Sequence, residues 1–98
     1  MEQIERIKKM EAALNEATAA VEAFAAALER FSAAQAEIRE LDAYLGSDEW
    51  LLDREADEAG RLPEELRRGV LSEDGIYNVL MENRANMKEA IALAAECL

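Results

Sequence analysis

Residues 4–45 read IERIKKMEAALNEATAAVEAFAAALERFSAAQAEIRELDAYL, and this stretch decides the fold. It contains neither Gly nor Pro, so nothing in it interrupts a helix. Ile7, Leu14, Val21 and Leu28 recur every seven residues, followed by Gln35. Three residues later run Met10, Ala17, Phe24, Phe31, Ile38 and Leu45. Apolar side chains spaced alternately by three and four share one helical face, and that stripe asks for cover by another helix. Ala13, Ala20, Ala27 and Ala34 add a third row ending in Leu41, which widens the face and permits close helix approach. Glu2/Arg6 and Glu5/Lys9, at i and i+4, support the opposite, solvated side. At 1.5 Å per residue an unbroken helix here spans about 66 Å, roughly twice the diameter of a compact globule of this length. An elongated molecule is therefore expected.

Outward from that helix, all the breakers fall together: Gly46, Gly60, Pro63, Gly69 and Gly75. They divide the chain into a long helix over 1–45, a connection over 46–72 and a last helix over 73–98. Ser47 can cap a short helix through Ala59, ended by Gly60. Pro63 suits the start of another, Glu64 to Arg68, stopped by Gly69. Trp50, Leu51, Leu52, Leu62, Leu66, Val70 and Leu71 make this connection apolar enough to be ordered. Ser72 is an N-cap candidate for the last helix, and Glu73 and Asp74 suit its positive end. The apolar stripe of that helix is Ile76, Tyr77, Leu80, Met87, Ile91, Ala94 and Leu98. Arg84 interrupts it, so Arg84 either snorkels outward or meets an acid of the first helix. The last helix is about half as long as the first, so part of the first helix needs the connection or a second chain for cover. The predicted fold is all-α and a single domain over residues 1–98. Its long N-terminal helix packs antiparallel against the C-terminal helix, with two short helices between, and the assembly is a dimer.

The composition narrows function by exclusion. Net charge is −11, from 22 acids and 11 bases. A field of that sign repels phosphate and anionic lipid, so neither nucleic acid nor a membrane surface is an expected partner. With no His in the chain, imidazole-based zinc sites and Ser-His or Cys-His catalysis are absent. Cys97 stands alone, which leaves no internal disulfide and fits a reducing compartment. The opening Glu2–Lys9 is charged and reads as helix rather than a secretory leader, and the longest apolar run, Ala23 to Leu28, is far too short to span a bilayer. A cytoplasmic location is expected.

The stretch LGSDEWLLDREADEAGRLPEELRRGVLSEDGIYNVL, residues 45–80, is less generic. Ser47, Trp50, Asp53, Ala56-Asp57-Glu58, Leu62-Pro63, Arg68-Gly69-Val70-Leu71-Ser72-Glu73-Asp74 and Tyr77 mix Trp, Pro, Gly and acids at fixed spacings. In this it resembles a family of short bacterial proteins known only as domain of unknown function number 4298, and the opening MEQIERIKKME is similar too. The resemblance implies a small helical bacterial protein. It implies no activity and assigns no functional residue.

Candidate sites can be weighed on the residues themselves. Glu49, Asp53 and Asp57, at i, i+4 and i+8, line up three carboxylates whose mutual repulsion asks for a countercharge. A hard cation such as Mg²⁺ or Ca²⁺ would supply it, with Glu73 or Asp74 facing it. Pairing to Arg61, Arg67 and Arg68 on a solvated face is the simpler reading and is preferred. The SEDG at 72–75 lacks the ligand pattern of a calcium loop, and no glycine pattern for a nucleotide is present. No cofactor is expected. Trp50 reads first as a core residue and second as an interface anchor. The expected function is a non-enzymatic interaction or regulatory module acting through an apolar helical face, self-associating and open to another protein. Ile7, Leu14, Val21, Phe24, Leu28, Phe31 and Ile38 form its core or dimer seam, and Trp50, Asp53, Asp57, Arg68, Asp74 and Tyr77 shape its distinctive end. The alternatives are a divalent-metal enzyme built on Glu49, Asp53 and Asp57, and an acidic mimic that occupies a basic partner.

Overall fold

The computed structural model describes residues 2–98. Among the described residues there are three α-helices, α1 (Glu2–Leu45), α2 (Asp48–Glu58) and α3 (Glu73–Cys97), with a 3-10 turn, Gly69–Leu71, before α3. The chain divides into two compact units, one ending at Gln35 and one running Ala36–Leu98.

The first unit is helix alone. The uninterrupted run of strong helix formers produces the α1 backbone without a break, as expected. Along it Ile4, Ile7, Met10, Leu14, Val21, Phe24 and Leu28 each leave more than half of their surface open, while Phe31, Ala34 and Gln35 are half-buried. Such a stripe gains little by itself from being helical, because helices of this kind draw most of their stability from packing that stripe.

The second unit is built around the buried side chains Trp50, Leu71 and Ile76. Ser47 makes the corner between α1 and α2. Its backbone N–H donates to the Tyr44 carbonyl at 3.0 Å and its hydroxyl donates to the same oxygen at 2.6 Å, closing α1. The same hydroxyl oxygen accepts the Trp50 N–H at 3.2 Å, capping α2 as its sequence position predicts. One side chain thus ends one helix and starts the next. At the far end of α2, Gly60 takes φ of 70°, with Gly60 N–H donating to Asp57 O at 3.0 Å and Arg61 N–H to Ala56 O at 2.9 Å. This is a Schellman ending, and it needs the left-handed backbone that glycine accepts without cost.

Two local expectations are corrected. Residues 64–68 are not a helix. The Pro63 carbonyl, which would begin its ladder, instead accepts the Leu66 N–H at 3.2 Å and the Arg68 guanidinium at 2.5 Å. Five residues without a packed face cannot repay helix nucleation, and the helical turn comes later, at Gly69–Leu71. The second short element is therefore a 3-10 turn. Ser72 does occupy the N-cap position of α3, but its hydroxyl caps nothing. Its carbonyl accepts the Gly75 N–H at 3.2 Å, a backbone turn that takes the place of the side-chain cap. The last turns of α1 meet the first turns of α3 here, where Leu41 shares a hollow with Ile76 and Val79.

Candidate functional site

The second unit holds a polar corner organised by Trp50. The indole Nε1–H donates to the Val70 carbonyl at 2.8 Å, so the buried ring ties α2 to the 3-10 turn and satisfies its own polar atom. The Arg54 guanidinium lies 5.3 Å from the centre of that ring, within range of a cation–π attraction. Arg54 also bridges two acids, Glu58 Oε1 at 3.2 Å along α2 and Glu73 Oε1 at 3.0 Å on α3. These groups are solvent-facing, so the pairs orient the helices more than they stabilise them.

A second pair of contacts ties α2 to the end of α1 and to the loop after it. The Tyr44 hydroxyl donates to Asp53 Oδ2 at 2.6 Å. That hydrogen bond, then burial, then the nearby charges of Asp53 and Glu49, push the Tyr44 phenol up to about 12. At neutral pH Tyr44 is a firm donor and no nucleophile. Asp57 Oδ1 sits 3.1 Å from Arg68 Nε, an ion pair rather than an aligned hydrogen bond. Arg68 thereby fastens the 61–68 loop to α2.

Two hollows open beside this corner. One, of about 430 Å³, is lined by Leu45, Trp50, Glu73, Asp74 and Tyr77. The other, of about 320 Å³, is lined by Leu41, Arg67, Gly69, Val70, Gly75, Ile76 and Val79. Gly75 is obligatory at the second, because a Cβ there would overlap the carbonyl oxygen of Gly69.

The residues expected at the distinctive end are thus sorted by the fold. Trp50, Asp74 and Tyr77 share one hollow; Asp57 and Arg68 pair with each other; Asp53 belongs to Tyr44. The metal reading of Glu49, Asp53 and Asp57 is corrected. Asp53 and Asp57 are engaged by different partners, and no group of three or more His, Cys, Asp or Glu among the described residues is placed to hold a metal ion. Arg54 is the organiser that the sequence reading overlooked, although its i+4 spacing from Trp50 and to Glu58 was visible. The Tyr44–Asp53 bond, across the Gly46 corner, has no spacing signal.

The larger feature is the α1 stripe. Ile7, Leu14, Val21, Phe24 and Leu28 are exposed, whereas Phe31 and Ile38 are half-buried. Seven large apolar residues in succession on one helical face exceed the scattered exposure that an ordinary surface carries. On α3, Tyr77, Val79, Met81, Met87, Ile91 and Leu93 are exposed too, as is Cys97; Arg84 points to solvent. No helix among the described residues is long and apolar enough to cross a membrane.

Comparison with known proteins gives one finding. A family model described as a domain of unknown function, DUF4298, matches residues 7–93. No curated protein and no solved structure matches the chain.

Proposed function

The chain belongs to the DUF4298 family, and from that premise we propose that it is a non-enzymatic interaction or regulatory module, one helical domain that binds through the apolar face of α1. A single observation carries the reading: the open row Ile4, Ile7, Met10, Leu14, Val21, Phe24 and Leu28. Covering a side chain of this size is worth about 1.5–3 kcal/mol. A row of seven is a strong drive toward association. The charge of −11 discourages nonspecific adhesion and favours a partner that matches the stripe.

The Trp50 corner supports this reading by what its polar groups do. Asp53, Asp57 and Arg68 are committed to partners inside the chain, and Trp50 is spent on packing. These groups hold a fold and are not aimed at a substrate. Asp74 and the exposed Tyr77 are left at the rim of a hollow, where they can add specificity to contacts made through α1.

The test is capture from a bacterial lysate on immobilised full-length protein, with Leu14→Glu/Leu28→Glu and Asp74→Asn/Tyr77→Ser variants beside the wild type. Wild type is expected to retain a discrete species that the α1 variant loses and the rim variant only weakens. Equal capture by wild type and the α1 variant would overturn the reading.

A further inference from the structure

We infer that the occupant of the α1 face is a second copy of this chain, laid antiparallel so that facing residues have numbers adding to 45. The inference rests on the proposed role of α1 as the working surface and names its partner. In that register each seam position meets a complementary one: Leu14 faces Phe31 of the second copy, Ala17 faces Leu28, Val21 faces Phe24, and Met10 faces Gln35. Each Phe meets an aliphatic side chain rather than another Phe, and Ala17 receives Leu28, so the seam can interdigitate as knobs into holes. Beside the seam, the third-row alanines of the two copies come within two positions of each other, Ala13 near Ala34 and Ala20 near Ala27. Alanine on both sides lets the axes approach closely along that flank. A parallel pair would instead stack Phe24 on Phe24 and leave Ala17 opposite Ala17.

Charge independently selects the same direction. Residues 2–10 hold three bases, Arg6, Lys8 and Lys9, against two acids. Residues 37–45 hold three acids, Glu37, Glu40 and Asp42, against one base. Antiparallel pairing brings the basic end of one helix to the acidic end of the other, whereas parallel pairing puts like on like. The area is also sufficient. Seven exposed apolar side chains at roughly 100 Å² each would bury about 1,400 Å² over the two copies, inside the range of stable interfaces.

The experiment uses the full chain with Cys97→Ser to remove the natural thiol. Ala17→Cys and Leu28→Cys variants are made separately, then refolded alone and mixed, and oxidised gently, while sedimentation equilibrium gives the mass. The expected result is a dimer, with the mixture cross-linking several-fold more than either variant alone. Leu14→Glu/Leu28→Glu is expected to sediment as a monomer that keeps the emission of a buried Trp50. A monomeric wild type at hundreds of micromolar overturns the inference, as does cross-linking confined to each variant by itself, which is the parallel outcome. The two readings fail differently. A wild-type monomer whose lysate partner is still lost in the α1 variant removes only the second copy. A dimer unaffected by Leu14→Glu/Leu28→Glu removes the α1 face itself.

Discussion

Replacing Gly75 by Ala sets two physical effects against each other, and the structure says which wins. In an open helical position the change would stabilise by up to ~1 kcal/mol, because glycine pays more backbone entropy than alanine. At Gly75, however, the new Cβ would overlap the Gly69 carbonyl oxygen and lie 3.4 Å from its carbon. Both belong to the backbone, so no side chain can swing aside. Relief requires α3 to move away from the 3-10 turn, disturbing Leu71 and Ile76 in the small core. Overpacking of this kind costs about 1–3 kcal/mol, leaving a net loss of roughly 1–2 kcal/mol. For a chain of this size that lowers Tm by roughly 5–15 °C. The assay is thermal unfolding by circular dichroism and Trp50 fluorescence at one fixed protein concentration, since any association shifts Tm. Gly69→Ala, which meets nothing within 4 Å, and Gly46→Ala, whose Cβ would stand 4.0 Å from the Asp42 carbonyl, are the controls and should stay close to wild type. A Gly75→Ala protein as stable as wild type, or more so, would refute the close approach.

Other substitutions test the corner separately. Trp50→Phe keeps an aromatic ring but orphans the Val70 carbonyl, so urea unfolding should show a loss of about 1–3 kcal/mol; an unchanged midpoint would contradict that bond. Gly60→Ala forces a side chain onto φ of 70° and should cost about 1–2 kcal/mol by the same measurement. Tyr44 gives a pH signature. Its folded pKa is raised to about 12, so its stabilisation is complete below the ordinary value near 10 and is lost as pH rises through 12. With Asp53 exposed, screening holds the effect to about 1 kcal/mol or less. Phenolate absorbance should show one late-titrating tyrosine that Tyr44→Phe removes. Millimolar Mg²⁺ or Ca²⁺ should leave Tm unmoved in wild type and in Asp53→Asn/Asp57→Asn alike, because those carboxylates already have partners.

How far the sequence could be read depended on the range of the interaction. Ser47, Gly60 and the breaker-free run of α1 act within four or five residues, and the ends of α1 and α2 fell where those residues put them. The helix expected at 64–68 is missing because the Pro63 carbonyl is taken by a turn and by the Arg68 side chain, whereas Ser72 stands at the N-cap its position predicts and only its hydroxyl is left out of the cap. Pairings across the chain were less visible still. Nothing in spacing joins Tyr44 to Asp53 or demands a glycine at 75 for the approach of residue 69. The carboxylate row of α2 misled for the opposite reason: its spacing is real, yet tertiary partners divide it. The α1 stripe was the plainest signal in the chain, because a heptad shows its face whether or not its partner is known.

Amide hydrogen exchange across a dilution series of the full-length protein tests the central claim most directly, that the α1 face is covered in the assembled protein. Amides of residues 7–31 should lose protection as concentration falls, while those around Trp50, Leu71 and Ile76 keep theirs until global unfolding. Exchange in residues 7–31 that does not change with concentration would contradict the claim.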